Sequence, residues 1–349
     1  MKNKQQILNK KNRYSLQFFR FKNLFLQSVF FDMNTKVKGY VLAAISAATY
    51  GMNPLFALPL YEGGMDLYSV LFFRYLFAIP ILAVMLKMRR REFSIEKADV
   101  MPLIILGVLF AMSSITLFSS YNHMDAGIAS TILFIYPIIV ALIMFIFFKE
   151  RISKKTMACI AVALLGIVLL CNSSEGAVVS TKGVLFVLGS ALSYSLYIVF
   201  VNKSRIGKMA TIKLTMYVLT AGWLIFAAKA LISGQLYTPS PEQWYLWFNV
   251  LALTIFPTII SLICTTEAIQ CIGSTPTAIL GVLEPVTAVF FGVLVFDEVL
   301  TTRIVIGLIL VIVSVTLVVA GGHTGKLLLR LRKMFPVKDK KTTIQQDNK

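Results

Sequence analysis

Charge is what this 349-residue chain has least of: Asp, Glu, Lys and Arg make up 14% of it, against about a quarter in an average soluble protein. A chain of this length with so few charges cannot cover a water-facing surface, which excludes an ordinary soluble fold. Histidine is nearly absent. His123 and His323 are isolated near span ends, where each reads as an interfacial residue. The four cysteines, Cys159, Cys171, Cys264 and Cys271, show no paired spacing, so neither a disulfide framework nor a zinc site is expected. No metal cluster, nucleophile–base pair or phosphate loop is found, and no nucleotide-binding domain for a primary pump. An enzyme is not expected, and no cofactor.

Apolar residues are plentiful instead, at 57% of the chain. They fall in runs of about twenty, the length a helix needs to cross about 30 Å of hydrocarbon. The runs place spans at 39–59, 67–87, 101–121, 127–148, 155–172, 183–202, 212–232, 245–268, 275–296 and 303–321. Connections are short and leave no room for a soluble domain. The expected fold is an all-α membrane protein of ten transmembrane helices.

The net charge of +18 sits mostly at the ends. Residues 1–38 carry nine Lys/Arg and one Asp, and residues 322–349 carry eight and two. Basic tails of this kind face anionic headgroups. No basic, aromatic-interleaved folded domain accompanies them, so nucleic acid is not an expected partner. Within the basic N-terminal tail, two readings of residues 1–32 stay open: an amphipathic surface segment, or a start of translation at Met33. The second tail, 322–349, reads as basic and membrane-apposed.

Loop charges set the orientation. With the N-terminus inside, the inner loops hold thirteen basic residues, among them Arg89, Arg90, Arg91, Lys149 and Lys213. The outer loops hold only Lys182 and Arg303, with Lys229 near an outer helix end. Both termini are expected in the cytoplasm, and the protein in the cell's cytoplasmic membrane.

The chain also repeats itself. Lys38-Gly39 through Tyr50 returns as Lys182-Gly183 through Tyr194, an offset of 144. Tyr136-Pro137 followed by Lys149-Glu150 returns as Glu284-Pro285 followed by Asp297-Glu298, with the same Pro-to-Glu gap of 13. Five spans per copy force the second copy upside down. Equivalent loops carry opposite charge bias, as inversion requires. The expected layout is therefore two inverted five-helix repeats, 39–172 and 183–321.

Two charges lie deep within spans, Arg74 in the second and Glu284 in the ninth. Such charges persist in a bilayer when they are paired or face a cavity. Counting about 1.5 Å per residue, Arg74 lies about 10 Å below the outer end of its span and Glu284 near the midplane. A direct or substrate-bridged pair is expected, in which Arg74 holds an anionic group and Glu284 an amine or a proton. A purely structural ion pair is the competing reading.

Pro137 and Pro285 each remove a ladder hydrogen bond near mid-span, at matching places in the two copies, and read as hinges beside a central site. Ser274, Ala278, Gly281, Ala288 and Gly292 form a small-residue stripe suited to close helix contact. Tyr50 and Asn53 in the first span, with Tyr194 and Tyr197 in the sixth, are candidate cavity residues, weighed against ordinary interfacial aromatics. Glu150 and Glu298 end equivalent helices and read as caps or local partners.

Ala126-Gly127-Ile128-Ala129-Ser130 leading to Pro137 and Lys149-Glu150-Arg151 resembles one EamA repeat, and Thr277-Ala278 through Leu283-Glu284-Pro285 to Asp297-Glu298 a second. The resemblance, to the EamA family of the drug/metabolite transporter superfamily, covers about 38–321. It implies a central cavity and transport of metabolites, often export of amino acids or related compounds. Tyr136 stands where many family repeats have Glu, so no carboxylate role carries over there. The expected function is a secondary transporter working by alternating access. Its partners are a small-molecule substrate and the lipid bilayer, with the proton as candidate coupling ion; no feature of the chain sets an oligomeric state. The competing class is a membrane scaffold or lipid-handling protein built on the same bundle.

Overall fold

The computed structural model describes residues 35–149, 154–171, 179–273, 276–277 and 280–321. Residues 1–34 of the first tail, the second tail, Glu150, His323, and Ser274 and Ala278 of the small-residue stripe lie outside them, whereas residues 35–38 already belong to the first helix. The described residues are helical, with one isolated bridge between Met124 and Val179. Eight helical stretches are long and apolar enough to cross a membrane. Two more apolar helices, Met157–Leu170 and Leu283–Phe296, are shorter. At 1.5 Å per residue, the fourteen residues of Leu283–Phe296 reach about 21 Å, less than the hydrocarbon thickness, whereas the whole helix Lys154–Cys171 that contains Met157–Leu170 reaches about 27 Å.

The helices are α1 (Thr35–Gly51), α2 (Asn53–Glu62), α3 (Leu67–Met88), α4 (Lys97–Ser120), α5 (Ala126–Leu133), α6 (Tyr136–Phe148), α7 (Lys154–Cys171), α8 (Thr181–Lys203), α9 (Thr211–Ser233), α10 (Trp244–Thr254), α11 (Ser261–Ile272), α12 (Leu283–Phe296) and α13 (Thr302–Gly321). Three expected spans are broken. The first divides at Met52, because Pro54 in the opening turn of α2 cannot supply a ladder N–H. The fourth divides at Phe134-Ile135, just before Pro137. The ninth turns at Gly281-Val282, just before Pro285, where the Gly281 carbonyl accepts from the Glu284 amide at 3.0 Å. A fourth irregularity, a π-helical segment over Ile255–Ile260 around Pro257, joins α10 to α11.

Local chemistry starts and stops the helices. The Asp66 carboxylate accepts from the Tyr68 and Ser69 amides at the start of α3, and Ser180 Oγ accepts from Gly183 N at the start of α8. α6 and α12 both end on a left-handed residue, Lys149 at φ 56° and Asp297 at φ 53°.

Packing runs along four long seams: α7 on α13, α4 on α8, α1 on α11 and α3 on α9. Shorter contacts join α12 to α5 and α1, and α6 to α8. Ser46 Oγ on α1 donates to the Ser261 carbonyl at 2.9 Å and lies 3.2 Å from its hydroxyl. Ser190 Oγ on α8 donates to the Ser113 carbonyl at 2.8 Å and lies 3.0 Å from its hydroxyl. The outer surface of the bundle is apolar, with Phe147, Leu231 and Ile232 among its most exposed residues. A lipid-facing belt needs this, and a water-soluble bundle would not tolerate it.

Along the α7–α13 seam the two backbones meet at glycine. A Cβ on Gly307 would fall 2.9 Å from the Gly166 carbonyl oxygen, and one on Gly166 2.9 Å from the Gly307 oxygen. Gly307→Val is therefore expected to push the helices apart and to destabilise the protein by about 1–3 kcal/mol, the usual range for overpacking. Thermal unfolding in detergent micelles measures it; an unchanged midpoint would mean the seam yields.

Candidate functional site

The residues singled out from the sequence converge where the broken helices meet. Arg74, on α3, is buried, 7% exposed, as is Glu284 at the start of α12, 9% exposed. They form no ion pair with each other. Arg74 Nε donates instead to Thr258 Oγ1 at 3.1 Å, and its guanidinium lies 5.3 Å from the centre of the Phe118 ring. Thr258 belongs to the π-helical segment, whose irregular turn places a hydroxyl against α3. The Arg74 carbonyl in turn accepts from Thr254 Oγ1 at 3.3 Å.

Tyrosines occupy the space around the two charges. Tyr50 and Tyr121 interact electrostatically with both Arg74 and Glu284. Tyr136 and Tyr194 interact with Glu284. Tyr136 and Tyr194 meet edge to face at 5.0 Å, and Tyr194 stacks on Tyr197 at 5.9 Å with 7° between the rings. Tyr197 stands one ring farther out, packed on Phe110 at 5.5 Å. The direct form of the expected Arg74–Glu284 pair is therefore absent: Arg74 bonds Thr258 and packs on the Phe118 ring instead.

Asn53, at the start of α2, is buried; its Nδ2 donates to the Tyr50 carbonyl at 2.8 Å. Its Oδ1 has no hydrogen-bond partner among the described residues, and a buried amide oxygen without one is costly. Gly51 lets α1 press directly on the segment carrying Glu284. A Cβ there would fall 2.4 Å from the Glu284 carbonyl oxygen. On the other side, Ser195 Oγ on α8 donates to the Tyr136 carbonyl at 3.0 Å. The carbonyl of the residue preceding Pro137 is thus bonded by α8, and that of the residue preceding Pro285 lies close against α1.

Thr258, Tyr121, Tyr61 and Phe118 escaped the sequence reading. Pro257 in mid-span was the available sign of the irregular turn at Thr258. Tyr121 and Phe118 carry no local mark and join the site only through folding. Thr265 and Glu267, near the basic end of α11, serve packing: Thr265 hydrogen-bonds Ser46, and Glu267 lies 3.6 Å from Arg89.

At the end opposite the basic loops, a cavity of about 480 Å³ is lined by residues that include Tyr61, Glu62, Tyr121, Asp125, Asp297 and Glu298. Glu298 Oε1 accepts from Ala126 N at 2.7 Å, and Oε2 from Gly127 N at 3.1 Å. It thereby caps α5, matching the local role expected of it. A Cβ on Gly127 or Gly292 would collide with this carboxylate, at 2.7 and 2.3 Å. Burial, together with the negative charge of Asp125, pushes Glu298 up to about 7, against the opposing pull of the two amides.

A carboxyl group whose value is raised in the folded contact favours that contact in its protonated form. The stabilisation is full below the ordinary value near 4.5 and is lost as pH climbs through about 7. Amide exchange at residues 121–131, corrected for intrinsic rates, is expected to quicken between pH 6 and pH 8 (roughly one unit either side of that value). In Glu298→Gln the pH dependence should vanish; its persistence would assign the effect to another group.

Comparison with known proteins adds to this geometry. The chain matches the EamA-like transporter family over residues 37–172 and again over 181–320. An uncharacterized transporter of Clostridium kluyveri is 23% identical over 290 residues, covering 79% of this chain and 91% of that protein. The uncharacterized transporter YoaV of Bacillus subtilis is 24% identical over 291 residues, covering the same shares, 79% and 91%. A crystal structure of a protein 18% identical in sequence superimposes with a TM-score of 0.60, covering 84% of this chain and 98% of the other. At that identity the likeness speaks to the fold alone.

Proposed function

Because the chain belongs to the EamA-like transporter family, we propose that it exports a small metabolite of the amino-acid type across the cytoplasmic membrane by alternating access. Transport of a small molecule across a bilayer follows from the family and the apolar helices. Substrate class, direction and mechanism are the proposal.

The observation that carries it is the placement of Arg74 and Glu284. They come from different halves of the chain, are buried, and both interact with Tyr50 and Tyr121 without forming a pair. A zwitterion offers a carboxylate for Arg74 and an ammonium group for Glu284. Opposite charges that share tyrosine neighbours but do not pair suit a ligand that bridges them. Asn53 Oδ1, buried and without a donor, suits a substrate N–H. A proton on Glu284 is the candidate coupling ion when the amine is absent.

Recurring contacts support two inverted halves. With offsets of 144 for the early spans and 148 for the later ones, Ser46 corresponds to Ser190 and Ser261 to Ser113. Their hydroxyl-to-carbonyl bonds agree within 0.1 Å, at 2.9 and 2.8 Å. Gly51 against the Glu284 carbonyl corresponds to Ser195 against the Tyr136 carbonyl, and left-handed Lys149 to left-handed Asp297. Such a frame, counted with the two shorter helices, gives ten spans. It suits the rocking of one half against the other, with breaks before Pro137 and Pro285 as hinges. The basic bias of one set of loops, thirteen Lys/Arg against two or three, supports cytoplasmic termini.

The test is uptake and counterflow in liposomes with a panel of labelled amino acids and related metabolites, with and without a pH gradient. Glu284→Gln and Arg74→Gln, purified as monodisperse protein, should each lower flux by about tenfold or more, the scale of one lost charge-assisted contact. Wild-type flux in Glu284→Gln would remove Glu284 from substrate binding and coupling. No flux of any compound through the wild-type protein would favour a scaffold.

A further inference from the structure

Where α3 ends, at the basic end of the bundle, three consecutive arginines border a cavity of about 760 Å³. Arg90 has a left-handed backbone, φ 52°, a conformation a side-chain-bearing residue adopts only at some cost. The tight turn it makes lets Arg89, Arg90 and Arg91 all reach the same cavity. Its polar lining is completed by Thr211, Thr266 and Gln270, and no described carboxylate lines it.

Of the acids close by, Glu92 lines an adjoining cavity that Arg90 and Arg91 also border, and the others are engaged elsewhere. Glu96 and Asp99 each lie 2.6 Å from Arg205. Glu267 approaches Arg89 alone, at 3.6 Å. The guanidinium groups of Arg90 and Arg91 make no ion pair or hydrogen bond with any described residue. The cavity also opens onto the start of α9. There the N-cap position is Ala210, which has no side-chain acceptor, whereas the corresponding start of α3 is closed by Asp66.

We propose that this cavity is a binding site for a phosphate-bearing anion, with Arg90 and Arg91 as its ion-pairing groups and Arg89 as a third. Guanidinium groups match phosphate oxygens in pairs, and the free amides of the α9 start add donors on the same side. The phosphate comes either from an anionic lipid headgroup, as basic pockets between membrane helices take, or from a soluble phosphate compound. The site does not depend on the transport reading: it lies away from Arg74 and Glu284 and shares no residue with their surroundings.

Two measurements on the full-length protein test it. Native mass spectrometry follows extraction from membranes of phosphatidylglycerol and phosphatidylcholine mixed, and thermal unfolding in detergent follows titration with inorganic phosphate. The variants are R90Q/R91Q, the charge-retaining R90K/R91K, and K38Q/K154Q, which removes two charges elsewhere. Wild type and K38Q/K154Q should retain phosphatidylglycerol or be stabilised by phosphate. R90Q/R91Q should bind about tenfold more weakly or worse, the scale of one or more lost charge-assisted bonds, with R90K/R91K between.

Retained phosphatidylglycerol without a response to phosphate identifies the headgroup as the source. A phosphate response without retained lipid identifies a soluble one. Absence of both in the wild type, or equal binding in wild type and R90Q/R91Q, overturns the proposal. Size-exclusion profiles confirm that each variant is folded before it is compared.

Discussion

In hydrocarbon no water is available to satisfy a backbone carbonyl that has lost its helical partner, and this constraint governs the centre of the molecule. Pro137 and Pro285 deprive the Leu133 and Gly281 carbonyls of their ladder donors, and the backbone beside each break is packed closely. The Gly281 carbonyl is taken by the Glu284 amide. The Tyr136 carbonyl receives the Ser195 hydroxyl. The Glu284 carbonyl lies against Gly51, where only a residue without a side chain fits. The serine bonds between α1 and α11 and between α8 and α4 hold the same helices one to two turns away. The carbonyls of Tyr136 and Glu284, beside the two breaks, thus meet the helices that carry Ser195 and Gly51, next to the candidate site.

That frame is nearly symmetric, while the chemistry placed on it is not. Arg74 falls where the second half has Val218, and Glu284 where the first half has Tyr136. Thr258, which holds Arg74, corresponds to Phe110, which packs on Tyr194 and Tyr197. Both charges stand among rings, Arg74 against Phe118 and Glu284 beside Tyr136 and Tyr194.

Much of this was legible in the sequence, because the bilayer leaves a chain few alternatives. Apolar runs marked the spans, and the offsets of 144 and 148 marked the equivalences that the serine contacts follow. Pro137 and Pro285 located two breaks to within three or four residues. The break at Met52 and the irregular turn at Ile255–Ile260 were not read, although Pro54 and Pro257 mark them. Depth along a helix follows from counting residues, so Arg74 and Glu284 were placed at workable heights. The direction a side chain takes around the helix depends on neighbours distant in sequence. For that reason Thr258 and Phe118 as the partners of Arg74, and Tyr121 as a neighbour of both charges, became evident only in the folded chain.

The division of charge between Arg74 and Glu284 also bears on how such a protein can be assembled. Two copies of the first half, facing each other, would bring two arginines to the centre and no carboxylate. Two copies of the second would bring two glutamates and no cation. Like charges buried side by side repel strongly where the dielectric constant is low. A homodimer of either half would therefore lose the arrangement, even with every serine contact intact. One polypeptide that carries both Arg74 and Glu284 guarantees that each molecule receives one charge of each sign.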